Sequence, residues 1–132
     1  RAVVAARRAA PIETTARLAG IVRRVVGRRG RIDPATRTFQ AIRIWVNAEL
    51  DGLDGFLRAA CDRLAAGGRL AVVTFHSLED QPVKHTFRGL AGEGRGLRLV
   101  TKRSLVPGDD EVRSNPRARS ARLRVIERME ST

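Results

Sequence analysis

Apolar and polar positions follow three rhythms along this chain of 132 residues. The first is helical. Residues 1–10 are rich in Ala, Val and Arg without a breaker, and Pro11 ends them. Leu18, Ile21, Val22, Val25 and Val26 then share one face of a helix over about 15–27, which Thr14 or Thr15 can cap. A basic turn, Gly27 to Gly30, follows. From Asp33-Pro34 onward, Phe39, Ile42, Val46, Leu50, Leu53, Leu57, Ala60 and Leu64 mark one long amphipathic helix or two collinear ones, with a kink expected near Gly52 and Gly55. The opposite face, Arg43, Asn47, Asp51, Asp54 and Arg58, reads as solvent-facing.

The second rhythm is a short unbroken apolar run. Gly67-Gly68 ends the helix in a left-handed turn, and Leu70 to Phe75 then reads as a buried strand. The chain turns polar at His76, Ser77, Glu79 and Asp80. Ser77 with Asp80 three residues on resembles a capping box, and Pro82 belongs in a first turn, so a helix is expected from 80–82 to about Leu90. The third rhythm is looser. A Gly-rich loop at 91–96 leads to a strand over Leu97–Lys102, a long polar connection over 103–120, and a last strand over Leu123–Arg128, antiparallel to its predecessor. Three strands leave the apolar 70–75 run short of neighbours, and the chain opens at Arg1 inside a helix. A piece of a larger α/β sheet is therefore expected, folding poorly alone because a strand edge stands open.

Charge changes the picture. The chain carries 26 Lys+Arg against 14 Asp+Glu, a net charge of +12. Nearly all the cations are Arg, whose planar fork suits phosphate, so a polyanion, and nucleic acid first, is the expected partner. With no Tyr and four Phe, stacking of many bases on a sheet is not expected. No apolar run approaches the roughly 20 residues of a membrane span. The single cysteine, Cys61, excludes an internal disulfide and sits on the apolar stripe, which points to the core and to a reducing cytoplasm.

Candidate chemistry concentrates after the 70–75 strand. Catalysis in open α/β sheets sits past the carboxyl ends of strands, where His76 and Ser77 fall. Ser77 can equally be a helix cap. A triad of Ser77, His76 and Asp80 is sterically poor, because neighbours on one turn do not point at each other, so a hydrolase ranks last. There is no phosphate-loop motif, and no acidic cluster sits at ligand spacing with His76 and His85, so no metal centre is expected. Asn115-Pro116 lacks the following aromatic of an amine-gripping loop, whereas Arg117, Arg119 and Arg122 are candidate phosphate contacts.

Three stretches taken together are specific. They are Asp33-Pro-Ala-Thr-Arg-Thr-Phe-Gln-Ala-Ile-Arg-Ile-Trp-Val-Asn47, Gly67 to Asp80, and Asn115-Pro-Arg-Ala-Arg-Ser-Ala-Arg-Leu-Arg124. In this order the chain resembles the bacterial 16S rRNA cytosine-N4 methyltransferases, the RsmH or MraW family, over essentially its whole length. Two positions depart: the family usually has His at the place of Asp33, and Arg plus an aliphatic residue at Gln81-Pro82.

The resemblance implies the C-terminal part of a class I, Rossmann-like S-adenosylmethionine-dependent methyltransferase. Residues 1–46 would end a helical substrate-recognition insert, and 47–132 would carry the last three strands of a seven-stranded sheet. It implies N4-methylation of a cytosine near the ribosomal decoding site, with 16S rRNA in the small subunit as partner and no membrane association. S-adenosyl-L-methionine is the implied cofactor, its site upstream, with no cofactor ligand in this chain. On the substrate side, His76 would contact the base or assist proton loss. Arg37, Thr38, Arg43, Asn47 and Ser77 would line the RNA entry, and Arg117 and Arg119 would grip phosphate. The competing expectation is a free-standing basic RNA-binding or ribosome-associated module.

Overall fold

The computed structural model describes residues 1–27 and 33–130. The chain divides into two compact units, Arg1–Glu49 and Leu50–Thr132.

The first unit is helical: α1 (Ala2–Ala9), α2 (Thr15–Val26) and α3 (Pro34–Val46). Thr14 caps α2 by accepting from the Arg17 amide at 3.2 Å. Asp33 caps α3 by accepting from the Ala35 amide at 2.9 Å, with Pro34 at the first helical position, where a missing N–H costs nothing. A small core gathers Ala19, Val22 and Ala35, with Leu18 and Phe39 against it. Val25 and Val26, read as part of the buried stripe, are exposed. The expected basic turn lies largely outside the described residues.

Of the two readings of the 34–64 stretch, one long helix or two, the structure has two. The chain turns over residues 47–52, with Ala48 at φ 50° and Gly52 at φ 75°, before α4 (Leu53–Asp62) begins. Both residues leave the helical backbone conformation, which a run of apolar spacings cannot reveal.

The second unit continues with β1 (Arg69–Thr74), α5 (Ser77–Gly92), β2 (Leu97–Leu99), α6 (Asp109–Ser114), a 3₁₀ turn over Pro116–Ser120, and β3 (Arg122–Arg128). Its sheet runs β1-β3-β2, with β3 antiparallel to both neighbours. The last strand is thus antiparallel to its predecessor as expected, and it also inserts beside β1, pairing Arg69 with Glu127 and Thr74 with Arg122. Gly68 makes the turn into β1 possible, since a Cβ there would meet the Ala65 carbonyl at 2.8 Å. Leu57, Cys61, Val83, Phe87, Leu90, Leu97 and Ile126 form the core, with Leu70, Val72 and Leu99 packed against it. The α4 and α5 side chains thus cover one sheet face.

Four expectations change. The β1 strand is half-buried rather than buried: only Thr74 is fully covered, and Val73 and Phe75 are exposed, because within the described residues one sheet face and one edge of β1 lack a covering element. The β2 strand stops at Leu99, because the Val100 and Thr101 amides both turn to the Val125 carbonyl. The 103–120 connection is not structureless. It holds a Leu105–Leu123 bridge, α6 and the 3₁₀ turn. Finally, α5 starts at Ser77, three residues before the expected start, and Pro82 falls inside it.

Candidate substrate-facing site

The start of α5 is built by His76, not Ser77. His76 stays extended (φ −146°, ψ 161°) and its Nδ1 accepts from the Glu79 amide at 3.3 Å. Glu79 reaches back, its Oε2 accepting from the Phe75 amide at 3.0 Å. This is a reciprocal capping arrangement with an imidazole in the place of the usual hydroxyl. It satisfies the early amides, so the helix begins before Asp80, and Pro82 falls in its second turn. It also leaves the exposed Ser77 hydroxyl without a hydrogen bond among the described residues. Because Nδ1 accepts, the proton of neutral His76 sits on Nε2. Nε2 lies 2.8 Å from Glu79 Oε1, off the N–H direction, so this contact is electrostatic and not a hydrogen bond.

A buried ion pair anchors the same turn. Arg124 Nε and Nη2 donate to the two Asp80 carboxylate oxygens at 2.7 and 2.8 Å, and both side chains are 10% exposed. The hydrogen bonds from Arg124 hold the Asp80 carboxyl below its usual range against the opposing effect of burial, and the charges of Arg124, Arg122 and Lys84 act in the same direction. Sequence reading assigned Asp80 only to capping. The missed signal was alternation: Arg124 shares a strand face with buried Ile126, and a charge there must find a partner.

The other predicted residues fall in separate places. In the second unit, Arg117 and Arg119 flank buried Ala118 in the 3₁₀ turn, both exposed and with no acid partner among the described residues. In the first unit, Arg43 pairs with Glu49 at 2.9 Å, and Asn47 Nδ2 donates to Glu49 at 3.1 Å. Arg43 is therefore compensated, whereas Arg37 is exposed on α3. Thr38 lines an apolar groove of about 200 Å³ with Val22, Val25 and Val26.

The glycine loop before β2 joins helix to strand, the reverse of a phosphate-cradling turn. Its Arg95 is held by Asp62 at 2.7 Å.

Comparison with known proteins decides the family. The profile of the MraW methylase family matches residues 1–129. The chain belongs to the MraW methylase family. It is 52% identical over 132 residues to the ribosomal RNA small subunit methyltransferase H of Anaplasma marginale (strain Florida), covering 98% of this chain and 45% of that protein. With the protein of the same name from Nitrobacter winogradskyi it is 54% identical over 145 aligned positions, covering 99% and 44%. The Coprothermobacter proteolyticus protein gives 52% over 128 positions, covering 97% and 42%. The chain thus spans less than half the length of these relatives. No helix among its described residues is long and apolar enough to cross a membrane.

Proposed function

We propose that the gene product carrying this chain methylates N4 of a cytosine in 16S rRNA of the small ribosomal subunit, near the decoding site, using S-adenosyl-L-methionine. The observation that carries the reading is the family match over residues 1–129, joined by relatives named as small-subunit rRNA methyltransferases. In this reading, 47–132 is the last part of a class I methyltransferase domain and 1–46 the end of a helical recognition insert. An antiparallel strand lodged between two parallel ones is compatible with the closing edge of such a sheet. The methyl donor is held by residues outside this chain, which supplies the substrate side.

A cytosine amine is a poor nucleophile because its lone pair is delocalised into the ring, so catalysis rests on positioning and on compensating charge. The base must also leave any stack to be reached. His76 uses Nδ1 as a helix cap, so Nε2–H is the one ring N–H left to donate; it is covered and without a hydrogen-bond partner in this structure, and the base must displace what covers it. His76 therefore serves as a hydrogen-bond donor to a ring acceptor. Acting as a general base would need the other tautomer and would free the Glu79 amide. Ser77, with its hydroxyl unengaged, contacts the nucleotide beside it. Arg117 and Arg119 hold backbone phosphate. Arg37, Thr38, Arg43 and Asn47 belong to the RNA entry, Arg43 and Asn47 through a carboxylate-bound arrangement that fixes their orientation.

The test is nucleoside mass spectrometry of small subunits incubated with the complete gene product and labelled donor. N4-methylcytidine is the expected product, and H76A should lower its formation on the order of a hundredfold. A different methylated nucleoside overturns the reading. RNA binding without any methyl transfer favours the basic RNA-binding module, which the net charge of +12 would equally serve. An unchanged rate in H76A reduces His76 to a helix cap.

A further inference from the structure

We propose that Arg122, braced by Ser104, grips a phosphodiester of the RNA beside the nucleotide that reaches His76. This deepens the rRNA reading above and rests on it. Arg122 opens β3 directly opposite Thr74, two residues before His76. Residues opposite one another in an antiparallel pair share a sheet face, so Arg122 lies on the face of Thr74, Arg124 and the first turn of α5. Its influence on the Asp80 carboxyl agrees with that placement.

The guanidinium is exposed and has no acid partner among the described residues. Asp80 is the acid that could have neutralised it. Both oxygens of Asp80 are taken by Arg124, and that pair is buried. Arg122 is therefore left without a carboxylate counter-charge among the described residues. Its Nη1 donates to Ser104 Oγ at 3.3 Å, which orients the fork. That bond leaves Nε–H and the Nη2 edge for bidentate contact with a phosphate, and leaves the Ser104 hydroxyl proton free to join them. Lys102 and Arg103, in the loop that delivers Ser104, are exposed and without acid partners among the described residues. A polyanion is the ligand this charge pattern takes. Proximity to His76 makes a nucleotide's own backbone the fitting source.

The test uses the complete gene product and a single-stranded rRNA fragment, with affinity measured across a range of salt. Removing one phosphate contact should reduce the steepness of log K against log salt by about 0.7 and weaken binding on the order of fivefold near 0.1 M salt. Arg122→Ala should show both, and Arg122→Gln should repeat them while keeping a side chain against Ser104. Arg122→Lys should keep the slope. Arg63→Ala is the control: an exposed cation closing α4, before β1 begins, whose loss should leave the slope unchanged. A wild-type slope in both charge-removing variants overturns the proposal, as does an equal change in Arg63→Ala. If the slope changes but no cytosine amine is methylated, the phosphate contact stands and the reaction assignment falls. If cytosine is methylated and the slope does not move, Arg122 alone is wrong.

Discussion

Within the second unit, the two ends of the sheet use arginine in opposite ways. At the end where β1 begins, arginines are tied down. Arg69 and Arg98 flank the buried Glu127 at 3.6 and 2.9 Å, one from each neighbouring strand. Arg95 meets Asp62, Arg58 meets Asp54 and Glu93, and Arg128 donates to the Cys61 carbonyl at 2.9 Å. Arg63 and Arg88 are the exceptions. Where β1 ends, Arg113 pairs with Asp110 of its own short helix, while Lys102, Arg103, Arg117, Arg119 and Arg122 have no acid partner among the described residues, and the buried acid there, Asp80, is taken by Arg124. The same residue type holds the fold together at one end and is left available at the other. Composition supplies the excess of positive charge, but pairing decides where that excess is presented.

The comparison breaks most visibly at the Asp80–Arg124 pair. Arg124→Ala strands a buried carboxylate and should cost about 3–5 kcal/mol in a urea titration of the gene product. Replacing both partners by apolar residues of similar volume should cost much less. Similar losses from the single and double changes would mean that packing, and not charge, holds the α5 turn.

Acid sharpens the same point with a smaller effect. The folded-state pKa of Asp80 is depressed, so its contribution to stability is present above the unfolded carboxylate value of about 3.9 and is lost as pH falls through the folded value. The urea midpoint should decline as pH drops below about 4, and Asp80→Asn should decline less over that window. Asp54, held down by hydrogen bonds from Thr86 and then Arg58, titrates in the same direction and sets the residual slope. A pH-independent midpoint in the parent protein contradicts the assignment.

The smallest effect lies at the tied-down end. Arg95→Ala removes a half-exposed pair and should cost no more than about 1 kcal/mol. RNA affinity should not change. A loss of affinity there matching that of Arg122→Ala would erase the contrast between the two ends.

Much of the frame was legible because its signals are local. The Gly67-Gly68 stop, the stripe through Leu57 and Cys61, and the polar turn after Phe75 each announce themselves within a few residues. Acidic Asp109, Asp110 and Glu111 after Gly108 also mark a helix start, one that the polar character of 103–120 concealed. What stayed hidden depends on distant pairing. The position of β3 between β1 and β2 is a nonlocal choice with no turn signature. The capping role of His76 is an unusual use of imidazole beside a serine that suits the task better by type. Arg122 and Arg124 are two residues apart in one motif. Only the fold shows that one is spent on Asp80 and the other is not.

The most direct test is to cross-link small-subunit rRNA to the complete gene product and identify the attached peptides by mass spectrometry. The account predicts attachment within this chain at residues 102–104 and 116–122. Attachment confined to 58–63 and 95–98 would contradict it.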